Sequence, residues 1–271
     1  MTDPLFDLVG RVIVVTGGLG QLGRAFSIGL ADRGAQVAIL DSDASPARTE
    51  LLADRADDEN LLVLEADVTD RDSLLCALTA IEARWGTPFG LVNNAGLDSP
   101  PGAPATENGP FESYPDKSWD RVMAVNAKGP FLCCQVFGGA MAAAGSGSIV
   151  NVASIYGLLS PDQRLYDYRR KRGETFFKPV AYAASKSALY NLTRYLATYW
   201  GARGVRVNTV TFAGVFDGQD EAFLSAYEQK VPLGRMAQPT DYLGPIVYLL
   251  SGASCYMTGA NLVVDGGFTA W

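Results

Sequence analysis

The feature that most constrains this 271-residue sequence is the stretch RVIVVTGGLGQLGR at residues 11–24. Its β-branched run from Val12 to Val15 predicts a strand buried on both faces, as in the centre of a parallel sheet. A glycine-rich turn follows, and from Gln21 onward apolar residues recur at helical spacing. Free N–H groups and the positive end of the helix dipole make such a junction an anion site. The alternative is a tight strand-to-helix turn without a ligand.

Composition indicates a globular protein, with 48% hydrophobic and 19% charged residues. No window of about 18 uninterrupted apolar residues predicts a membrane span. The first ten residues lack the basic and apolar regions of a secretory signal. The four cysteines show no CxxC pair, which is typical of a reduced protein, so we expect a cytoplasmic location. The net charge of −7 argues against a nucleic-acid partner.

The chain contains no histidine. This absence excludes Ser-His-Asp and Cys-His catalysis as well as histidine-ligated zinc, and no cysteine spacing indicates a metal. A general base must therefore be Asp, Glu, Lys, Tyr or Cys.

Strands alternate with helices along the whole chain, which predicts an α/β fold. We expect one domain, residues 1–271, built as a doubly wound (Rossmann) parallel sheet of about seven strands with helices on both faces. The predicted strands are 12–15, 36–40, 61–64, 90–92, 148–152, 205–210 and 262–264. The first predicted helix begins at residue 21. The others cover 70–85, with Asp70 as its N-cap, 117–144, with a bend at Gly129-Pro130, and then 181–200, 220–229 and 240–250. A proline-rich surface loop is expected at 97–115, and an insert rich in Arg and Tyr at 158–179.

Polar residues follow the ends of several predicted strands: Asp41, Asn93 and Ser154. Ligands of doubly wound sheets lie beyond the carboxyl ends of the strands, so these residues should converge on one crevice. Asp41 lies 18 residues after Gly23, close to the ~20 expected for a ribose-binding acid. A simple turn cap at this position, or Asp43 as the ribose ligand, are the alternatives.

The sequence resembles the compact single-domain branch of the short-chain dehydrogenase/reductase family over its whole length. The matching segments are Thr16-Gly17 with Gly23, Asp67-Val68, Asn93-Asn94-Ala95-Gly96, Val125-Asn126, Ser154, Tyr182-Ala183-Ala184-Ser185-Lys186, Val207-Asn208 and LVVDGG at 262–267. Two positions depart from that pattern. Gln21 stands where a glycine is usual, so that the spacing of Gly17, Gly20 and Gly23 resembles the extended, sugar-nucleotide branch. Phe212-Ala213 replaces a usual proline-glycine.

The resemblance implies an NAD-dependent oxidoreductase that interconverts a secondary alcohol and a ketone of a sugar, sugar acid or polyol. It implies a homodimer or homotetramer. The implied catalytic residues are Asn126, Ser154, Tyr182 and Lys186, of which Asn126 would fix a water near Lys186. The implied cofactor contacts are Gly17, Gly20, Gln21, Leu22, Gly23, Asp41, Asp67, Val68, Asn94, Ala95, Gly96, Val215, Tyr182 and Lys186.

Tyr182 and Lys186 are four residues apart and therefore share one helix face. A nearby ammonium and the positive nicotinamide ring both favour tyrosinate, so we expect them to lower the pKa of Tyr182. Tyr182 would then exchange a proton with the substrate oxygen, which Ser154 would orient. An exposed helical pair without chemistry is the alternative.

Ser154 and Tyr182 are separated by 28 residues, and the insert between them carries more basic than acidic residues. Arginine binds carboxylate or phosphate in a bidentate way, so the insert suggests an anionic, hydroxylated substrate such as a sugar acid or an activated sugar. The predicted substrate contacts are Ser154, Tyr156, Arg164 and Arg169, whereas Tyr166 and Tyr168 are expected to pack. The alternative is a solvated basic face or a subunit contact.

Two rival functions follow from the same residues. The insert also resembles that of family members associated with bacterial surface-sugar biosynthesis. This resemblance and the spacing at Gly20 are compatible with an epimerase or dehydratase that uses bound NAD transiently. A non-catalytic dinucleotide-binding protein is the second rival, and the intact set Ser154, Tyr182 and Lys186 speaks against it.

Overall fold

A computed structural model describes residues 3–98 and 105–271. Seven parallel strands form one sheet in the order β3-β2-β1-β4-β5-β6-β7. The strands are β1 (Val12–Thr16), β2 (Gln36–Asp41), β3 (Leu61–Glu65), β4 (Gly90–Asn93), β5 (Gly147–Ser154), β6 (Val205–Phe212) and β7 (Asn261–Val264). The predicted doubly wound sheet is therefore confirmed. The strand order reverses between β1 and β4, and a ligand crevice opens at such a point.

Helices cover both faces of the sheet. They are α1 (Gln21–Ala31), α2 (Pro46–Thr49), α3 (Arg71–Trp85), α4 (Asp116–Met123), α5 (Gly129–Cys133), α6 (Gly139–Ala144), α7 (Ile155–Leu158), α8 (Asp167–Lys171), α9 (Val180–Trp200), α10 (Glu221–Glu228) and α11 (Leu243–Leu250). The helix predicted at 240–250 begins as a 3₁₀ turn, Pro239–Tyr242, before α11. Within the described residues, no helix is long and apolar enough to cross a membrane.

All five residues of β1 are buried, as expected of a central strand. Alternate side chains of β1 point to opposite faces. Val12 and Val14 join one apolar cluster, which includes residues of α3, α5 and α9. Ile13 and Val15 join a second cluster, which includes residues of α1 and α11. The sheet thus separates two cores, and its carboxyl edge is left for ligands.

The helix predicted at 117–144 is not one regular helix. Two π-helical segments, Ala124–Lys128 and Cys134–Gly138, separate α4, α5 and α6. Pro130 has no N–H and so cannot supply the α-helical hydrogen bond to the carbonyl of Asn126. The first π segment ends just before the predicted Gly129-Pro130 bend and contains Asn126. Single π turns of this kind occur mostly at functional sites.

The insert at 158–179 has its own structure. It forms a 3₁₀ turn at Gln163–Tyr166 and then α8. Leu165, Tyr166 and Phe176 pack with Tyr227 and Phe268 in a third apolar cluster. The predicted surface loop at 97–115 contains 3₁₀ turns at Ala105–Asn108 and Phe111–Ser113, and its residues 99–104 lie outside the described part.

Candidate active site

The glycine turn after β1 is fastened to the end of β4. Asn94 Nδ2 donates hydrogen bonds to the carbonyls of Thr16 and Gly17, at 3.0 and 3.1 Å. Thr16 Oγ1 accepts from the backbone N–H groups of Asn94 and Ala95, both at 3.1 Å. The predicted residues Asn94 and Ala95 therefore fix the two edges of the crevice relative to each other.

Two of the glycines cannot be replaced without moving backbone. Gly17 has φ +60°, and a Cβ atom there would lie 2.8 Å from the Cα atom of Ala95. A Cβ atom at Gly23 would lie 2.1 Å from the carbonyl oxygen of Gly17. The turn is tight because these side chains are missing. Helix α1 begins at Gln21 without a side-chain cap, so its first N–H groups can receive an anion.

Acidic residues lie farther along the crevice. Asp41 ends β2, its Oδ2 accepts from the backbone N–H of Leu19 at 3.1 Å, and Arg48 Nη2 is 3.9 Å from the same oxygen. Asp67 follows β3, is exposed, and accepts hydrogen bonds from the N–H and hydroxyl of Thr69. Val68 beside it is buried. Asp41 thus lies at the strand end where its spacing from Gly23 predicts a ribose ligand.

Ser154, Tyr182 and Lys186 come together where β5 meets α9. Ser154 is the last residue of β5, caps α7 by accepting from the N–H of Tyr156, and is hydrogen-bonded to Tyr182. Lys186 has only 5% of its surface exposed, and its Nζ donates to the carbonyl of Val152 at 2.8 Å. The ammonium lies 5.9 Å from the centre of the Tyr182 ring.

In the protein alone, the pKa of Tyr182 is shifted upward, whereas the sequence analysis expects it to be lowered. Burial and the Asp98 carboxylate raise the pKa of Tyr182, whereas its hydrogen bond with Ser154 lowers it. Burial lowers the pKa of Lys186 from 10.5 to about 8, and Asp98 opposes that shift. The Lys186 ammonium donates to the Val152 carbonyl and does not outweigh the effect of burial on the pKa of Tyr182. Tyr182 therefore holds its proton at neutral pH in the protein alone.

Asn126 is fully buried in the first π segment. Its Oδ1 accepts from the N–H of Leu97 at 2.7 Å, and its Nδ2 donates to the Leu97 carbonyl at 2.8 Å and to Ser185 Oγ at 3.0 Å. Its side chain thus links Leu97, in the segment that follows β4, to Ser185 of helix α9. Asn126 holds the segments that carry the other site residues, and this is a positioning role.

A cavity of about 960 Å³ opens beside these residues. Among the predicted site residues, it is lined by Gln21, Leu22, Asn94, Gly96, Ser154, Tyr156, Arg169, Tyr182, Lys186 and Val215. Gln21 Nε2 also donates to the Phe216 carbonyl at 2.8 Å, which links the glycine turn to the loop after β6. In the described part of the chain, no cluster of three or more His, Cys, Asp or Glu residues could hold a metal ion.

The arginines of the insert do not form an anion-binding set. Arg164 pairs with Asp162, keeps 81% of its side chain exposed and does not line the cavity. Arg169 lines it, but pairs with Glu174 and lies over the ring of Phe176. The structure therefore does not bring Arg164 to the site. The four arginines of the insert are all paired with carboxylates, three of them within the insert and Arg172 with Asp220.

Among the cavity-wall residues that sequence reasoning missed, Asp98 and Lys178 lie beside Tyr182. They form an ion pair, and Lys178 Nζ lies 5.3 Å from the centre of the Tyr182 ring. Asp98 lies two residues after Gly96, in the segment that follows β4, and this position is the sequence signal that could have identified it. Tyr166, predicted to pack, lies 4.7 Å from Phe176 between ring centres and also lines the cavity.

Comparisons with known proteins find relatives that match almost the whole chain. The family model described as enoyl-(acyl carrier protein) reductase matches residues 20–269. D-threitol dehydrogenase of Mycolicibacterium smegmatis is 34% identical, and the match covers 97% of this chain and 95% of that protein. A short-chain dehydrogenase from Leptospira borgpetersenii, solved with bound NAD+, is 30% identical with a TM-score of 0.85, covering 99% of this chain and 96% of that one. A gluconate 5-dehydrogenase from Burkholderia cenocepacia, solved with NADP and tartrate, is 28% identical with a TM-score of 0.82, covering 99% and 98%.

Proposed function

Because the chain belongs to the short-chain dehydrogenase/reductase family, we propose that it acts, as one domain, as an NAD-dependent oxidoreductase. The reaction would interconvert a secondary alcohol and a ketone of a sugar or polyol. The observation that carries this proposal is the meeting of Ser154, Tyr182 and Lys186 in the wall of one cavity. Gln21 and Leu22, at the start of the glycine-turn helix, line that same cavity.

The crevice fits a dinucleotide. Glycines 17 and 23 let the turn close tightly, and the uncapped start of α1 offers N–H groups to a pyrophosphate. Asp41 offers carboxylate oxygens to ribose hydroxyls. Asp67 would contact the adenine end of the dinucleotide. Val215 and Lys186 would contact its nicotinamide end. When bound, the nicotinamide ring accepts or gives a hydride at the substrate carbon.

The protein residues would handle the proton. Ser154 and Tyr182 hydrogen-bond to each other, so both can reach one substrate oxygen. Tyr182 carries a proton in the protein alone and can give it to a ketone oxygen during reduction. For oxidation its pKa must fall, and the positive charges of Lys186 and of the oxidised cofactor favour the tyrosinate.

The direct test is a screen of polyols, sugars and sugar acids with NAD+, followed by absorbance at 340 nm. We expect formation of NADH with at least one polyol. Substrate conversion without a net absorbance change would instead identify an epimerase or dehydratase that uses NAD transiently. Tight NAD binding without conversion of any compound would identify a non-catalytic dinucleotide-binding protein.

The cofactor preference provides a separate prediction. We expect a higher kcat/KM with NAD+ than with NADP+, because the Asp41 carboxylate repels a 2′-phosphate. Arg48 is the nearby cation, yet it lies 3.9 Å from Asp41 and is partly neutralised by it. The measurement is kcat/KM with both cofactors for the protein and for Asp41→Asn, in which the NADP+ value should rise. Equal or better efficiency of the unmodified protein with NADP+ would contradict the assignment.

The exposed face of α9 provides a prediction about assembly. Tyr195 and Tyr199 stack on each other there and remain 63% and 59% exposed. Large aromatic side chains at this exposure are typical of an interaction surface. We expect sedimentation at micromolar concentration to give a homodimer or homotetramer, and Tyr195→Glu with Tyr199→Glu to dissociate it. A monomer in the unmodified protein would refute this prediction.

A cytoplasmic location is supported by the thiols. All four cysteines are free, and Cys76 and Cys255 are exposed. Exposed free thiols are typical of proteins in a reducing compartment.

A further inference from the structure

The ion pair between Asp98 and Lys178 lies against the face of the catalytic tyrosine. Lys178 has only 10% of its side chain exposed, and both residues line the cavity. The Asp98 carboxylate raises the pKa of Tyr182 and opposes the fall in the pKa of Lys186, so its charge acts on both catalytic residues. None of the hydride-transfer steps above uses this pair.

The insert holds Lys178 in place through its backbone. Gln163 Oε1 accepts from the N–H of Lys178 at 2.9 Å, and Gln163 Nε2 donates to the Lys178 carbonyl at 3.2 Å. Arg170 fixes Gln163 in turn, because its guanidinium donates to the Gln163 carbonyl at 2.6 Å and to the Phe176 carbonyl at 2.9 Å. The folded insert therefore presents a lysine above Tyr182.

The cavity wall contains several groups that can accept hydrogen bonds. Asp98, Asp217 and Asp220 contribute carboxylates. Asn108 also lines the cavity, and its buried Oδ1 atom has no hydrogen-bond partner among the described residues. An acceptor in this position gains a partner when a hydroxyl-bearing ligand binds.

The charges of the wall disfavour an anion. Among the described residues that line the cavity, each cation already has a partner: Arg169 pairs with Glu174, Lys178 with Asp98, and Lys186 binds the Val152 carbonyl. A substrate carboxylate would meet Asp98 as a like charge. A neutral hydroxyl can instead accept from the ammonium and donate to the carboxylate without separating them.

We propose that Asp98 and Lys178 together bind a hydroxyl group next to the carbinol that faces Tyr182, so that the site selects uncharged polyols over sugar acids. The inference rests on the proposed function, because it assumes that the substrate oxygen lies between Ser154 and Tyr182. A site built to hydrogen-bond a substrate hydroxyl strongly rejects the analogue that lacks it.

The test compares three kinds of probe with one carbon-chain length: the tetritols (erythritol and both threitols), threonate, and butan-2-ol. Binding to the NADH-loaded protein is titrated by saturation-transfer NMR, and kcat and KM with NAD+ are measured in parallel. The variants are Asp98→Asn, Lys178→Met and, as the matched control, Lys171→Met, which removes an exposed lysine of the same insert. Melting temperature and NADH affinity identify any variant that misfolds.

We expect the unmodified protein to bind one tetritol at least tenfold more tightly than threonate or butan-2-ol. Asp98→Asn and Lys178→Met should each weaken tetritol binding at least tenfold, raise KM more than they lower kcat, and leave butan-2-ol unchanged. Asp98→Asn should also strengthen the binding of threonate relative to that of tetritol. Lys171→Met should leave both the binding affinities and the kinetic constants unchanged.

The outcomes separate the two proposals. Equal tetritol binding in all variants, tighter binding of threonate to the unmodified protein, or no tetritol binding at all would overturn the role of Asp98 and Lys178. Oxidation of other secondary alcohols in that case would leave the proposed function standing. Tetritol binding that depends on the pair, without hydride transfer to NAD+, would overturn the proposed function and leave the binding role intact.

Discussion

Replacement of Tyr182 by phenylalanine is expected to lower kcat at least ~10²-fold, the low end of the range for general acid–base catalysis. The substitution keeps the aromatic ring against Lys178 and Lys186 and removes only the hydroxyl that exchanges the proton. The glycine turn and Asp41 are untouched, so the affinity for NADH should stay within about threefold, a difference below 1 kcal/mol.

The measurement is single-turnover hydride transfer together with an NADH fluorescence titration. Tyr256→Phe is the matched control, because Tyr256 is fully exposed and does not line the cavity. Its turnover should equal that of the unmodified protein. Turnover within a few-fold of normal in Tyr182→Phe would exclude Tyr182 as the acid–base group.

Replacement of Lys186 by methionine is expected to lower turnover more than tenfold. At neutral pH it should also raise the free energy of unfolding, because the folded protein no longer buries a charged ammonium. Burial lowers the pKa of Lys186 from 10.5 to about 8, and at 1.36 kcal/mol per pKa unit this shift corresponds to about 3 kcal/mol. A group whose pKa falls on folding penalises the folded state most below its folded pKa. The penalty disappears as pH rises from about 8 toward 10.5, because the folded protein releases the proton first.

The free energy of unfolding of Lys186→Met, relative to the unmodified protein, should therefore be higher at pH 7 than at pH 10.5, by up to about 3 kcal/mol. Urea unfolding at both pH values measures the difference, and Lys171→Met controls for the loss of an exposed lysine. A difference that does not vary with pH would mean that Lys186 titrates normally. The buried charge of Lys186 is therefore expected to lower the stability of the protein while it supports activity.

The sheet could be predicted from the sequence because its strands are short runs of apolar residues at regular intervals. Every predicted strand is present, and the structure extends β5 by two residues and β6 by two residues at their carboxyl ends. Each extension contains a polar residue, Ser154 in β5 and Thr211 in β6, so the apolar run ends before the strand does. Asp70 was correctly predicted to cap α3, since it accepts from the N–H of Asp72.

The site could be predicted where its residues follow strand ends or share a helix face, as with Ser154, Tyr182 and Lys186. Lys178 could not be found in this way, because its position depends on contacts between Gln163 and the far end of the insert. Local charge was a poor guide for the same reason. Arg164, Arg169 and Arg170 pair with acids close to them in sequence, whereas Arg172 pairs with the distant Asp220, and only the folded chain shows these pairs.

The helix at 117–144 was predicted with a bend but without its π segments. Helical periodicity describes which face is apolar, and one extra residue per turn changes that pattern little over a few residues. Gly129-Pro130 indicated the location correctly. The proline removes a helical donor four residues after Asn126, and the π segment is the backbone conformation that results.

The double hydrogen bond between Gln163 and Lys178 closes the base of the insert, so residues 164–177 form a replaceable module. An exchange that keeps both ends, Arg170, and the buried side chains of Leu165, Tyr166 and Phe176 is expected to leave the sheet, the glycine turn and α9 unchanged. Residues such as Arg169 could then be varied in libraries while the chemistry stays constant. In this fold, substrate range can diverge through one short cassette, independently of the parts that bind the dinucleotide and move the proton.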